Sequence, residues 1–152
     1  KFYQFALMAI LTGGGLTLFL VTQFVLKLNP WFMPRYMIPL AGMIFASSMN
    51  GVSLAAERLQ AEMDRNVEYI QARSIALRAA LIPITNSLFA VGLVSLPGMM
   101  TGQILSGVSP LIAVRYQIMV MCMIFSAVGL SSALFLIMIK SQLSELTSET
   151  LK

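Results

Sequence analysis

The run Tyr116-Gln-Ile-Met-Val-Met-Cys-Met-Ile-Phe-Ser-Ala-Val-Gly-Leu-Ser-Ser-Ala-Leu-Phe-Leu-Ile-Met-Ile139 carries no charged residue over 24 positions. At about 1.5 Å per residue a helix of this length reaches roughly 36 Å, enough to cross a hydrocarbon core about 30 Å thick. The pattern repeats outward from this run. Phe2 to Leu26, Tyr36 to Ala56 and Ala79 to Val114 are also free of charge. Over the 152 residues 58% are apolar and 11% charged, where a soluble domain carries about 25% charged residues. Mean hydropathy is +0.84. Backbone groups in lipid must be satisfied within their own segment, and no alternating pattern suggests a barrel. The sequence therefore predicts an all-α, polytopic transmembrane helix bundle forming a single domain over residues 1–152. Four membrane segments are expected, near 3–26, 35–56, 79–96 and 111–139, in a multi-pass protein of a cell membrane, with a bacterial inner membrane as the expected setting.

Half of the charges fall between Glu57 and Arg78. Basic residues near helix ends mark the cytoplasmic side, so 57–78 is expected to be a cytoplasmic connection. The connection with Asn29-Pro30-Trp31 then lies outside, where Trp31, Phe32 and Tyr36 suit the interface. Within 57–78 the residues Leu59, Met63, Val67, Ile70, Leu77 and Leu81 follow three- and four-residue steps, which predicts an amphipathic helix. That helix is either a solvated extension of the second segment or a docking element for a soluble partner. Arg65, Glu68 and Arg73 are the candidate docking residues. Between the third and fourth segments, Pro97-Gly98-Met99-Met100-Thr101-Gly102-Gln103 leads to Pro110 without a charge. Thirteen residues of helix reach only about 20 Å, so a short, broken, non-spanning or re-entrant element is expected there.

The absences exclude much chemistry. There is no His and one Cys, Cys122, which removes His-based metal sites, Ser–His and Cys–His catalysis and any intrachain disulfide. No Gly-Lys-Ser/Thr sequence supplies a phosphate loop. A net charge of +4, with scattered basic residues, points to anionic lipid headgroups and not to nucleic acid. The segment interiors hold no ionisable residue of the kind that carries a coupling ion. A transporter of this composition would draw its energy from a separate ATPase, with no cofactor in this chain.

What remains for a solute is neutral. Asn50, Asn86, Gln103 and Gln117, with Met99 and Met100 as soft contacts, are the candidate path residues; the two asparagines could equally hydrogen-bond between helices. The metal, if there is one, is left unknown. Among the 12 Met, Met119, Met121 and Met123 alternate and so point in different directions; they read as apolar filling, and Cys122 as a small buried residue. Four small-residue pairs at helix-contact spacing, Gly42 with Ala46, Ser47 with Gly51, Gly98 with Gly102 and Gly129 with Ala133, argue for a compact bundle. Gly13-Gly14-Gly15 is expected to loosen the first helix.

Two runs carry a resemblance. Ile38-Pro39-Leu40-Ala41-Gly42-Met43-Ile44 leads to Met49-Asn50, and Ala80-Leu81-Ile82-Pro83 leads to Gly92-Leu93-Val94-Ser95-Leu96-Pro97-Gly98-Met99-Met100-Thr101-Gly102, followed by Gly107, Pro110, Ala113 and Tyr116-Gln117-Ile118. Over about residues 35–135 the chain resembles the Fet-type ABC permease family, which includes bacterial iron-export permeases and plant aluminium-tolerance membrane subunits. The resemblance implies a permease subunit that exports a metal ion, iron-like, or a small solute, paired with an ABC ATP-binding subunit and with a second permease copy as a homodimer. It implies no enzymatic activity in this chain, and that the chain corresponds to the C-terminal part of a longer permease. A non-transport membrane scaffold or assembly protein is the alternative. The family carries a Glu-x-x-Leu-x-Leu-Gly-Ala segment, thought to contact the ATPase, in its cytoplasmic connection. Here Val67-Glu68-Tyr69-Ile70-Gln71-Ala72 runs directly into Arg73-Ser74-Ile75-Ala76-Leu77-Arg78, about 14 residues short. A break in the helix at Ala72–Arg73 is expected.

Overall fold

The computed structural model describes residues 2–27, 32–91 and 97–150, without the side chains of Phe2 and 141–150. Prolines open three of its five helices. α1 spans Phe2–Leu20 and passes into a π-helical turn, Val21–Val25. α2 spans Pro34–Asp64, α3 Tyr69–Ala90, α4 Gly98–Leu105 and α5 Pro110–Thr150. Pro34 and Pro110 occupy first helical positions, where a missing N–H goes unmissed and φ is already suitable, and Pro97 stands at the N-cap of α4. Among the described residues three helical stretches are long and apolar enough to cross a membrane: Tyr3–Val25, Pro34–Asp64 and Pro110–Lys140. The fourth expected segment, 79–96, is the apolar half of α3 followed by residues 92–96, which lie outside the described residues. So does Asn29-Pro30-Trp31. The expected non-spanning element is α4, eight residues long.

α5 is the hub, packed against α1, α2, α3 and α4. Glycine decides how closely. A Cβ on Gly13 would lie 2.6 Å from Ser131 Oγ and 2.8 Å from the Ser131 backbone nitrogen. One on Gly51 would lie 2.6 Å from Val128 Cγ1 and 3.1 Å from Ser132 Oγ. Gly14 makes the third close approach, against Phe45 and Ile44 of α2. Gly13 and Gly14 are therefore packing positions inside a regular helix, Gly15 faces open space, and the run does not loosen α1. Of the four small-residue pairs, Ser47 with Gly51 meets another helix closely. Gly42, Gly98 and Gly102 face open space, and Gly129 is in ordinary contact with Leu81.

Two apolar clusters fill the bundle. One joins Ala9, Val52, Ala55, Leu59, Ala72, Ala76, Phe135 and Leu136; the other joins Leu18, Leu40, Ile44, Val120, Met123 and Ala127. The charged connection differs from the single amphipathic helix expected over 57–78. α2 stops at Asp64, and Asn66 turns left-handed with φ 59°. Val67 N–H donates to the Glu62 carbonyl at 3.1 Å and Asn66 N–H to the Met63 carbonyl at 2.9 Å, the paired bonds of a Schellman turn. The chain reverses there into α3. Nor is there a break at Ala72–Arg73. Ala72 N–H donates to the Glu68 carbonyl at 2.9 Å, and α3 continues through the join. Its buried stripe is Ala72, Ala76 and Ala80, four residues apart, while Ile70 is exposed. Alanine lets α3 lie close to α2, and leucine-sized stripe residues would hold it away.

Gly13→Ala and Gly51→Ala should each destabilise the protein by about 1–3 kcal/mol, because the added methyl overpacks an interface. The Gly13 change should be the worse of the two, since backbone and not a side-chain tip must move. Thermal unfolding in detergent checks this, with Gly102→Ala as the control expected to unfold at or above the wild-type temperature.

Candidate functional site

α2, α3 and α5 line an open groove of about 190 Å³, at which Asn50 and Ser87 are themselves exposed. Its polar lining is Ser47 and Asn50 from α2 and Ser87 from α3, set among Gly51, Pro83 and Val128. Asn50 lies about 24 Å along α2 from Pro34, well inside the membrane-crossing stretch. Pro83 has no N–H to offer the Ala79 carbonyl four residues back, and Ser87 donates its hydroxyl to the Pro83 carbonyl at 2.9 Å. The backbone beside the groove thus has a carbonyl without its helical donor. No lining residue is ionisable, so the groove offers amide and hydroxyl groups and no fixed charge.

The other expected path residues do not gather here. Asn86 is exposed on α3 and does not line the groove. Neither asparagine makes an interhelical hydrogen bond among the described residues. Met99 packs at the second apolar cluster with Tyr116 and Met119. Met100 and Gln117 are buried. Gln103 is partly buried, and its Oε1 has no hydrogen-bond partner among the described residues.

Sequence reasoning passed over a set of buried hydroxyls. Ser48, Ser131 and Ser132 are fully buried, and their Oγ atoms have no partner among the described residues. A serine in an apolar run reads as a small residue, and only the glycines facing Ser131 and Ser132 make these two interfacial. Glu62 was also missed as a site. It is 4% exposed, with Oε1 2.6 Å from Arg58 Nη2 and 3.7 Å from Arg65 Nη1. The signal was available: Val52, Ala55, Leu59 and Glu62 repeat at steps of three and four, so the carboxylate continues a buried stripe. The docking candidates Arg65, Glu68 and Arg73 are all exposed. Beside them the Tyr69 hydroxyl donates to the Leu136 carbonyl of α5. Burial raises the Tyr69 pKa, partly offset by the Arg73 guanidinium.

Fold and composition define a multi-pass helical membrane protein. The chain belongs to the family described as "Uncharacterised protein family (UPF0014)", whose model matches residues 1–75 and 68–143. It is 44% identical over 117 residues to the UPF0014 membrane protein slr1647 of Synechocystis sp., covering 67% of this chain and 45% of that one. To the Probable iron export permease protein FetB of Escherichia coli it is 37% identical over 147 residues, covering 87% and 56%. To the Protein ALUMINUM SENSITIVE 3 of Arabidopsis thaliana it is 39% identical over 140 residues, covering 82% and 50%. The chain spans about half the length of the curated relatives it matches. No solved structure matches it. The two family matches overlap at residues 68–75, the start of α3. The FetB alignment runs over 147 positions but covers 87% of the 152 residues, so about 15 positions of that protein have no counterpart here. α3 itself runs through Ala72 and Arg73 without a break.

Two predictions concern this end of the bundle. Arg58→Ala should cost about 1–3 kcal/mol by leaving the buried Glu62 carboxylate only the longer contact to Arg65, whereas Arg65→Ala, at an exposed and longer pair, should cost under about 1 kcal/mol. Chemical denaturation in micelles separates the two. Tyr69→Phe should cost about 0.5–1.5 kcal/mol through its lost hydrogen bond. Because the Tyr69 pKa is raised in the folded state, its contribution is present below the ordinary tyrosine value of about 10 and is lost as pH rises through the folded value. The Tyr69→Phe protein should accordingly lose less stability than wild type when pH is raised through that range.

Proposed function

We propose that this chain is part of the permease of an ABC-type exporter, moving a metal ion or small solute with energy from a separate ATP-binding subunit. The observation that carries the proposal is the groove at Ser47, Asn50 and Ser87, a polar surface on the membrane-crossing part of the bundle with no ionisable residue in its lining. Neutral groups can bind a solute but cannot relay protons, which favours an external energy source. The name of the Escherichia coli relative, a probable iron export permease, supports metal export as the cargo class. The ATPase docks on the exposed Arg65, Glu68 and Arg73 at the α2–α3 turn, and a second permease copy completes the path. Asn50 is the path residue in this reading, and Asn86 faces away from it.

The test is co-expression with the ATP-binding subunit and measurement of metal efflux from loaded vesicles. Asn50→Leu should abolish ATP-dependent efflux while the subunit folds and co-purifies with its ATPase, and Asn86→Leu should leave efflux within about twofold of wild type. Arg65→Glu combined with Arg73→Glu should lose the ATPase in pull-down. If no ATP-binding subunit co-purifies and Asn50→Leu changes nothing, a scaffold or assembly role stands instead.

A further inference from the structure

The sulfur atoms of α5 are arranged differently from their alternation in sequence. Met119, Met121 and Met123 do not share a face, but Met119, Cys122 and Met123 do, at positions i, i+3 and i+4. Side chains at that spacing are neighbours, with Cβ atoms about 5–6 Å apart, and both methionines have three rotatable bonds with which to converge. All three line one cavity of about 320 Å³ between α1 and α5. Cys122, expected from the sequence to be a buried apolar residue, is exposed with a free thiol.

The opposite wall is unusual in its own right. Val21 and Val25 line the same cavity, and they are the first and last residues of the π-helical turn. There Leu26 N–H donates to the Val21 carbonyl at 2.9 Å, five residues back. Such a widened turn costs hydrogen-bond geometry, and π-turns recur at functional sites. Here it sits across the cavity from the only cysteine of the chain.

We propose that Met119, Cys122 and Met123 form a three-sulfur site for a soft monovalent metal ion of the Cu(I) class. Thioether and thiolate ligands select such ions. Charge makes the same selection. On binding, the Cys122 S–H bond breaks, its proton passes to the solvent, and an S–metal bond forms with no change of oxidation state. One thiolate with a monovalent ion is neutral overall, which an apolar cavity accepts. A divalent ion there would keep a net positive charge, at a large desolvation cost. No group of three or more His, Cys, Asp and Glu side chains able to hold a harder ion occurs among the described residues. The site is independent of whether the chain transports anything.

The test uses the full chain in detergent with Ag(I), a redox-inert member of the same class. The rate of maleimide alkylation at Cys122 is followed against buffered Ag(I) concentration. Met119→Leu combined with Met123→Leu preserves side-chain volume and the thiol, and should raise the half-protecting Ag(I) concentration about tenfold or more. Met8→Leu combined with Met49→Leu, at exposed positions outside the cavity, should leave it unchanged. An unshifted Met119/Met123 variant, or an equal shift in the Met8/Met49 variant, overturns the proposal, since the thiol would then be binding alone or unspecifically. X-ray absorption of the Cu(I)-loaded wild-type chain gives a second readout that no folding defect confounds. Three sulfur scatterers support the site, and two or fewer, or nitrogen and oxygen scatterers, refute it.

Discussion

The bundle depends on two serines of one helix meeting two glycines of two others. Ser131 sits over Gly13 and Ser132 over Gly51, so α1 and α2 are both drawn against α5 at nearly the same height. In lipid the hydrophobic effect does not drive helices together, and close backbone approach is what makes association favourable. Larger side chains at either glycine would part the helices and thin the dispersion contacts of both apolar clusters. The serines belong to the same arrangement because they are small enough for close approach; their Oγ atoms make no hydrogen bond among the described residues.

The charged end is held by different means. A Schellman turn with Asn66 in the left-handed position closes α2 onto α3, and alanines every fourth residue let α3 settle against α2. Glu62 is buried there because its carboxylate can reach Arg58, whose guanidinium remains partly in solvent. Tyr69 ties the turn to α5. Helical hydrogen bonding runs unbroken through Ala72, so the turn and the first turns of α3 form one closed connection.

The bundle carries two open surfaces of distinct chemistry. The groove at Asn50 offers neutral hydrogen-bonding groups beside a proline-interrupted helix. The cavity between α1 and α5 offers sulfur and valine. They open on different helix pairs, so substitutions at one can be made without touching the other.

Much of the architecture was legible in the residues themselves. Charge-free runs long enough to span a bilayer define membrane helices, because unpaired backbone is too costly in hydrocarbon for another solution. Pro97, Gly107 and Pro110 confine α4 to a short element, for reasons as local as a missing N–H and a left-handed φ. The family was legible too, in the order of its Pro- and Gly-containing runs. What the sequence could not decide was which face of each helix meets which neighbour. In a membrane helix apolar residues surround the whole circumference, so the stripe that marks a buried face in a soluble helix is nearly absent. The charged connection misled for a related reason: its leucine-like stripe is real, but Asn66 breaks the helix that would have carried it, and Ala72, Ala76 and Ala80 take the buried face. Pairing Asn50 with Ser87, separating it from Asn86, setting serines over glycines and turning Met119, Cys122 and Met123 onto one cavity are all matters of helix rotation, and rotation is settled only when the helices pack.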